Sequence, residues 1–159
     1  MSSRADVLAD RILVGADALA KYATQLSDEQ WRTTIPPDGR TAGVIVHHVA
    51  SLYPIEVDVA LQLAGGTNIT NLSWQDVAAM NAAHAVEHAN VTRAEALGLL
   101  QQRSREAADR VRRFTDAQLD GAATLSLNAH APVTAQFMIE GHAVAHSFHH
   151  LARLRAVLG

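Results

Sequence analysis

The chain has 159 residues, of which 48% are hydrophobic and 18% charged, and its net charge is −3 with histidine neutral. This composition indicates one globular domain over residues 1–159, and its scattered arginines offer no basic stripe to a nucleic-acid backbone. The absence of cysteine excludes disulfides, thiolate zinc sites and cysteine nucleophiles, so any metal must be held by imidazole, carboxylate or water.

Apolar residues at helical spacing predict five helices along the chain. We place them at about residues 4–25, 41–64, 73–88, 92–114 and 134–159. The stretch from 121 to 133 is expected to be irregular, because its weakly alternating residues have no partner strand. The long helices among these predict an all-α four-helix bundle.

The N-terminal residues interleave acidic and apolar side chains, which is not the pattern of a signal peptide. We find no apolar run of the ~18 residues that a membrane span requires. We therefore expect a cytoplasmic protein that binds a small molecule and neither membrane nor nucleic acid.

The second predicted helix carries two adjacent histidines that should face different ways. His48 falls on the apolar stripe, whereas His47 falls about 100° away, on an edge shared with Ser51. We expect His48 to point at the core and His47 to point outward. Pro54, inside the same helix, predicts either a kink or a break into two pieces.

The last predicted helix, which Thr134 would cap, carries His142, His146 and His150 on one stripe, with His149 one residue off it. Two imidazoles four residues apart on a helix can bind one metal ion without bending the backbone. The alternative is a solvent-facing row of polar residues on an amphipathic helix. A third ligand elsewhere in the chain is needed to favour the metal site.

His48 can supply that ligand, because facing helices of a bundle bring side chains from distant parts of the chain together. With His146 and His150 it would form a site of three neutral imidazoles and water, which is the open arrangement of a catalytic centre. The alternative for His48 alone is a core histidine that hydrogen-bonds to backbone.

A rival set of candidate ligands lies between residues 84 and 88. The sequence His84-Ala85-Val86-Glu87-His88 matches the pattern of the inverted zincin peptidases. The chain is small for a peptidase, and nothing in the sequence signals the third carboxylate ligand. We expect Glu87 and His88 to lie at a solvated helix end.

Several segments together resemble the DinB superfamily. They are Gly43 to Ala50 in the second helix, Ala145 to Leu151 in the last helix, Asn81 to Leu97 between them, and Leu26 to Asp28 leading to Trp31. The resemblance covers nearly the whole chain. It departs from one subgroup of the family where Ala152 and Arg153 stand in place of a glutamine after the last-helix motif.

The resemblance implies a bundle of up-down-down-up topology, often dimeric, with a divalent metal, zinc or nickel being expected, at His48, His146 and His150. It also implies a metal-dependent transferase or isomerase that uses a low-molecular-weight thiol such as mycothiol or bacillithiol. The ion would lower the pKa of the thiol, whose thiolate would attack a small electrophile. The alternatives are a non-enzymatic, metal-stabilised helical dimer and a small metallohydrolase.

Four further residues are candidates for supporting roles. Arg153 could bind a carboxylate of the thiol or substrate, or be a solvated residue near a helix end. His142 could carry protons beside the metal site or be exposed. Glu56 or Glu140 could orient a ligating imidazole, and the sequence does not rank them.

Overall fold

In a computed structural model that describes residues 3–159, the chain is mainly helical. The helices are α1 Arg4–Gln25, α2 Asp28–Trp31, α3 Ala42–Ala64, α4 Trp74–Glu87, α5 Arg93–Val111, α6 Asp116–Asp120, α7 Ala135–Met138 and α8 Ala145–Leu158. The short strands are β1 Thr34–Ile35, β2 Arg40–Thr41, β3 Ala122–Leu125 and β4 Ala131–Thr134.

The last predicted helix is continuous but not uniformly α-helical. A π-helical segment, Ile139–Val144, joins α7 to α8, and we call the three pieces together the C-terminal helix. Its start is as predicted, because the Thr134 side chain accepts a hydrogen bond from the Phe137 amide. The wider turns of a π segment are frequent next to functional residues, and this one lies just before His146.

Polar contacts near the helix ends show which long helices are parallel and which are antiparallel. Arg93 at the start of α5 donates to backbone oxygens at the end of α1, so these two helices are antiparallel. Tyr22 near the end of α1 donates to the Gly159 carbonyl, so α1 and the C-terminal helix are parallel. Trp31, packed on Gly43 in α3, donates to the Val91 carbonyl just before α5. The order is therefore up-down-down-up, and the predicted four-helix bundle is confirmed.

Helix α3 is the most buried of the long helices and runs unbroken through Pro54. By length and composition it is apolar enough to cross a membrane, but 61% of that window is buried inside the protein. Burial of this kind is typical of the central helix of a bundle. It also carries His48 and Glu56, both buried, to the middle of the molecule.

The expectation of an irregular stretch after residue 121 was wrong. Strands β3 and β4 form an antiparallel pair with Ala122 opposite Thr134, and β1 pairs with β2 across the turn at residues 36–39. The hairpin of β3 and β4 was missed because its partner strands are only four residues long, too short for alternation to stand out. It packs against α3 and closes one side of the cavity described below.

Candidate metal centre and its cavity

Three histidines from two helices meet in the middle of the bundle. His48 on α3 faces His146 and His150 on α8, with ring centroids 5.0 and 5.4 Å from the His48 ring. The Nε2 atoms of His146 and His150 lie 3.1 Å apart. One ring nitrogen from each of the three lies within 4.8 Å of the other two, so the three imidazoles could hold one metal ion.

The carboxylate of Glu56 orients His146. Its Oε1 lies 2.8 Å from the Nδ1 of His146 and accepts that hydrogen, which leaves Nε2 facing the other two rings. Glu56 is 5% exposed. Glu140 instead pairs with Arg11 on the surface. The structure thus ranks the two acidic candidates that the sequence left equal.

Burial keeps the imidazoles of His48 and His150 neutral. It lowers the pKa of His48 to about 2, and the neighbouring His146 lowers it further. Burial also lowers the pKa of His150, again with a contribution from His146. Neutral imidazole is the form that binds a metal. Three imidazoles, two of them kept neutral by burial and the third held by a buried carboxylate, fit a divalent transition metal ion with an open position.

A cavity of about 520 Å³ opens beside the three histidines. Its wall is mostly apolar and comes from α3, α4, the hairpin of β3 and β4, and the C-terminal helix. The apolar lining residues are Leu52, Ile55, Val59, Leu72, Trp74, Val77, Met80, Leu125, Leu127 and Met138. A cavity of this size and character suits a small organic molecule.

Two arginines stand at the polar end of this cavity. Arg40 Nη1 and Arg153 Nε are buried and have no hydrogen-bond partner within residues 3–159. Both guanidinium groups share one carboxylate, that of Asp38, with contacts of 2.8 Å from Arg40 and 3.4 Å from Arg153. Burial raises the pKa of Asp38, but hydrogen bonds from Arg40 outweigh this and lower it. The two guanidinium groups and the Asp38 carboxylate together carry one net positive charge at this end of the cavity, while the Glu56 carboxylate lies beside His146 in the same cavity.

Arg153 also touches the histidine cluster. Its Nη1 lies 3.3 Å from the Nδ1 of His150, and because arginine only donates, that nitrogen accepts and His150 carries its hydrogen on Nε2. A metal on Nε2 would move the hydrogen to Nδ1 and end this contact. Metal binding would therefore release one Arg153 donor beside the cavity.

Two of the supporting candidates lie beside the cluster. Arg153 and His142 both line the cavity, and burial lowers the pKa of His142. A proton-carrying role for His142 stays a prediction. Sequence reasoning missed Arg40, which lies in strand β2 shortly before the Gly43 to Ala50 segment but has no spacing signal of its own.

The prediction for His47 was wrong. Its side chain is 9% exposed and faces α4, where its Nδ1 lies 2.9 Å from the Nε2 of His84. Position on a helix gives an angle from the apolar stripe, but it does not tell which other element covers that edge. Here α4 covers it. Of the two residues expected at a solvated helix end, Glu87 has a side chain 77% exposed, whereas the His88 side chain is 30% exposed and its ring centroid lies 4.0 Å from that of His47.

The protein is thus a four-helix bundle with a possible metal centre of three histidines between facing helices. The family model described as "DinB superfamily" matches residues 13–154. The chain belongs to this family. No sequence among the curated proteins matches it.

A solved structure supports the fold assignment. YfiT from Bacillus subtilis, described as a probable metal-dependent hydrolase with an unusual four-helix bundle topology, is similar with a TM-score of 0.74. The identity is 18%, and the match covers 98% of this chain and 87% of YfiT. At this identity the likeness establishes the shared fold.

Proposed function

We propose that this protein is a metal-dependent enzyme that joins a low-molecular-weight thiol, of the mycothiol or bacillithiol type, to a small electrophile bearing a carboxylate. The observation that carries the proposal is a pair of arginines, Arg40 and Arg153, that line an apolar cavity beside three histidines and each have a buried N–H without a partner among the described residues. Because a buried guanidinium with a free N–H is costly, an anionic ligand at this position would satisfy it.

Each group of residues would have a separate role in the reaction. A zinc or nickel ion on His48, His146 and His150 would lower the pKa of a bound thiol. The arginines would hold the carboxylate, the apolar wall would exclude water, and Glu56 would keep His146 in the ligating tautomer. The chain has no cysteine, so the sulfur must arrive with the thiol.

The bond changes are those of a conjugate addition when the electrophile is an activated alkene. The sulfur–carbon bond forms as the π pair moves to the neighbouring carbon, and that carbon takes the proton released by the thiol. Reversal after rotation about the new single bond would isomerise the alkene, so one site serves a transferase or an isomerase.

The test measures thiol addition to monomethyl fumarate by loss of the alkene absorbance, with mycothiol and bacillithiol in turn and the protein loaded with zinc or nickel. We expect a rate above that of the thiol alone, lost in His146→Ala. Dimethyl fumarate, which lacks the carboxylate, should show a smaller enhancement. Replacing Arg40 by glutamine should raise KM for the monoester about tenfold or more and leave the diester unaffected.

Hydrolysis is a second candidate, and the likeness to YfiT favours it. The same cavity and arginines would accept para-nitrophenyl succinate, whose hydrolysis releases a coloured phenol without any thiol. Thiol-independent turnover that needs His146 would support the hydrolase over the thiol transferase. Tight metal binding without either activity would favour the metal-stabilised helical dimer.

A further inference from the structure

We infer that the protein has a second metal site, formed by His47, His84 and His88, which would take a divalent transition metal ion such as zinc, nickel or copper. These three histidines come from α3 and from the end of α4, and none of them belongs to the centre described above. The inference goes beyond the proposed function, because the two ions would have separate ligands.

The three rings converge as ligands of one ion would. His47 Nδ1 and His84 Nε2 lie 2.9 Å apart, and the His88 ring lies 4.0 Å from that of His47 and 4.6 Å from that of His84, centroid to centroid. One ring nitrogen from each lies within 4.8 Å of the other two. In a tetrahedral site the ligand nitrogens would be about 3.3 Å apart, so small side-chain adjustments would suffice.

The hydroxyl oxygen of Ser51 is a further atom that could bind the ion. Ser51 Oγ lies 3.3 Å from His47 Nδ1 and 3.5 Å from His84 Nε2. It donates its hydrogen to the His47 carbonyl at 2.8 Å, so its lone pairs are free for an ion or for a water bound to one.

The electrostatic surroundings favour a cation and distinguish this site from the first. His47 and His88 line an open groove of about 660 Å³ whose rim carries Glu87 and Glu95. An acidic rim attracts metal ions and repels an anionic substrate, whereas the first cavity presents arginines. We therefore assign the second ion a structural task rather than substrate activation.

That task would be to fasten α4 to the bundle. None of the described residues of α4 is buried, so little apolar packing holds this helix. An ion on His84 and His88 would tie its end to α3 through His47. Because α4 supplies Trp74, Val77 and Met80 to the wall of the first cavity, the second ion would also steady that wall.

The experiment counts bound ions in protein purified without a histidine tag and titrated with Zn²⁺ or Ni²⁺. We expect two equivalents for the wild type, one for His84→Ala, one for His48→Ala and none for the double variant. His130→Ala is the matched control, since His130 is exposed and outside both groups, and it should retain two. Hydrogen exchange of α4 should slow on loading in the wild type and in His48→Ala, and stay fast in His84→Ala.

The outcomes separate the two sites. One equivalent in the wild type that His48→Ala removes and His84→Ala leaves unchanged would overturn the second site and keep the first. One equivalent that only His84→Ala removes would overturn the first site and keep the second. If His84→Ala fails to fold, anomalous scattering at the metal edge decides on the wild-type protein, where a peak between His47, His84 and His88 is expected and its absence contradicts the inference.

Discussion

Glu56 decides which nitrogen of His146 faces the other imidazoles. Its buried carboxylate accepts from Nδ1 at 2.8 Å, while its Oε2 is buried without a partner among the described residues. Such carboxylates raise the basicity of a ligating imidazole and fix its orientation. The centre therefore depends on a residue that does not itself need to touch the ion.

Replacing Glu56 by glutamine should weaken metal binding while keeping the side-chain volume. The amide oxygen can still accept from His146 but carries no charge, and we expect affinity to fall by about 10- to 100-fold. Competition with a chromophoric chelator measures this. Glu140→Gln is the control, because Glu140 pairs with Arg11 at the surface and should leave affinity unchanged. Equal losses in both variants would contradict the orienting role of Glu56.

The neutral histidines also predict a dependence of stability on pH in the metal-free protein. The pKa of His48 is lowered to about 2 and that of His84 to about 4, mainly by burial, from about 6.5 in an unfolded chain. The unfolded chain therefore binds more protons below about pH 6.5, so stability is fully present above that pH and is lost as the pH falls toward the folded-state values.

For His48 alone, this linkage lowers the free energy of unfolding by about 2 kcal/mol between about pH 7.5 and about pH 5. Urea unfolding of the metal-free protein at the two pH values measures the difference. His48→Gln, which cannot titrate, should show a smaller pH dependence than the wild type. A free energy of unfolding that stays constant over this range would show that His48 does not sit neutral in the folded protein.

At the scale of the elements, the start of α3 depends on a close approach between backbone and ring. A Cβ at Gly43 would lie 2.5 Å from the Trp31 ring, which is itself held by a hydrogen bond to the Val91 carbonyl. The ring cannot move away without losing that bond and its packing. Gly43 is thus required by a packing contact, and the apolar run that follows it leads into His47 and His48.

Gly43→Ala should therefore destabilise the protein by about 1–3 kcal/mol, through overpacking. Gly98 in α5 is the matched control, since a Cβ there meets nothing within 4 Å. Gly98→Ala should raise the free energy of unfolding by roughly 0.5–1 kcal/mol, because alanine favours the helix. Chemical denaturation compares the two variants. A neutral Gly43→Ala would show that the contact with Trp31 is loose.

The elements also show what the sequence could predict. The long helices and the capping boxes at Ser27 and Thr92 follow from local spacing, and the structure confirms them. The π segment before His146 has no comparable local signal. The face of His47 could not be predicted because it depends on α4, whose docking adds few apolar contacts that a sequence pattern would reveal. Arg40 was missed because its position at the cavity, beside Arg153, depends on the packing of the C-terminal helix, while its ion pair with the nearby Asp38 gives no sign of a site.

For the whole molecule, the histidines connect elements far apart in the chain. One group joins α3 to the C-terminal helix, and the other joins α3 to α4. An ion that binds only the folded state adds to the free energy of unfolding in proportion to the logarithm of its concentration over Kd. The family resemblance also implies a homodimer, and association of two folded chains would stabilise the folded state in the same way. The homodimer stays a prediction.

Metal loading should therefore raise the thermal midpoint of unfolding, and a chelator should reverse the rise. At a free metal concentration of about 100 times Kd, one site adds about 2.7 kcal/mol, which corresponds to about 5–10 °C for a chain of this length. Differential scanning calorimetry with and without Zn²⁺ measures the shift. We expect it in the wild type and in His84→Ala, which keeps the first centre, and we expect no shift in the double variant His48→Ala with His84→Ala. An undiminished shift in the double variant would place the stabilising ion on other residues, and both histidine groups would then lose their assigned role.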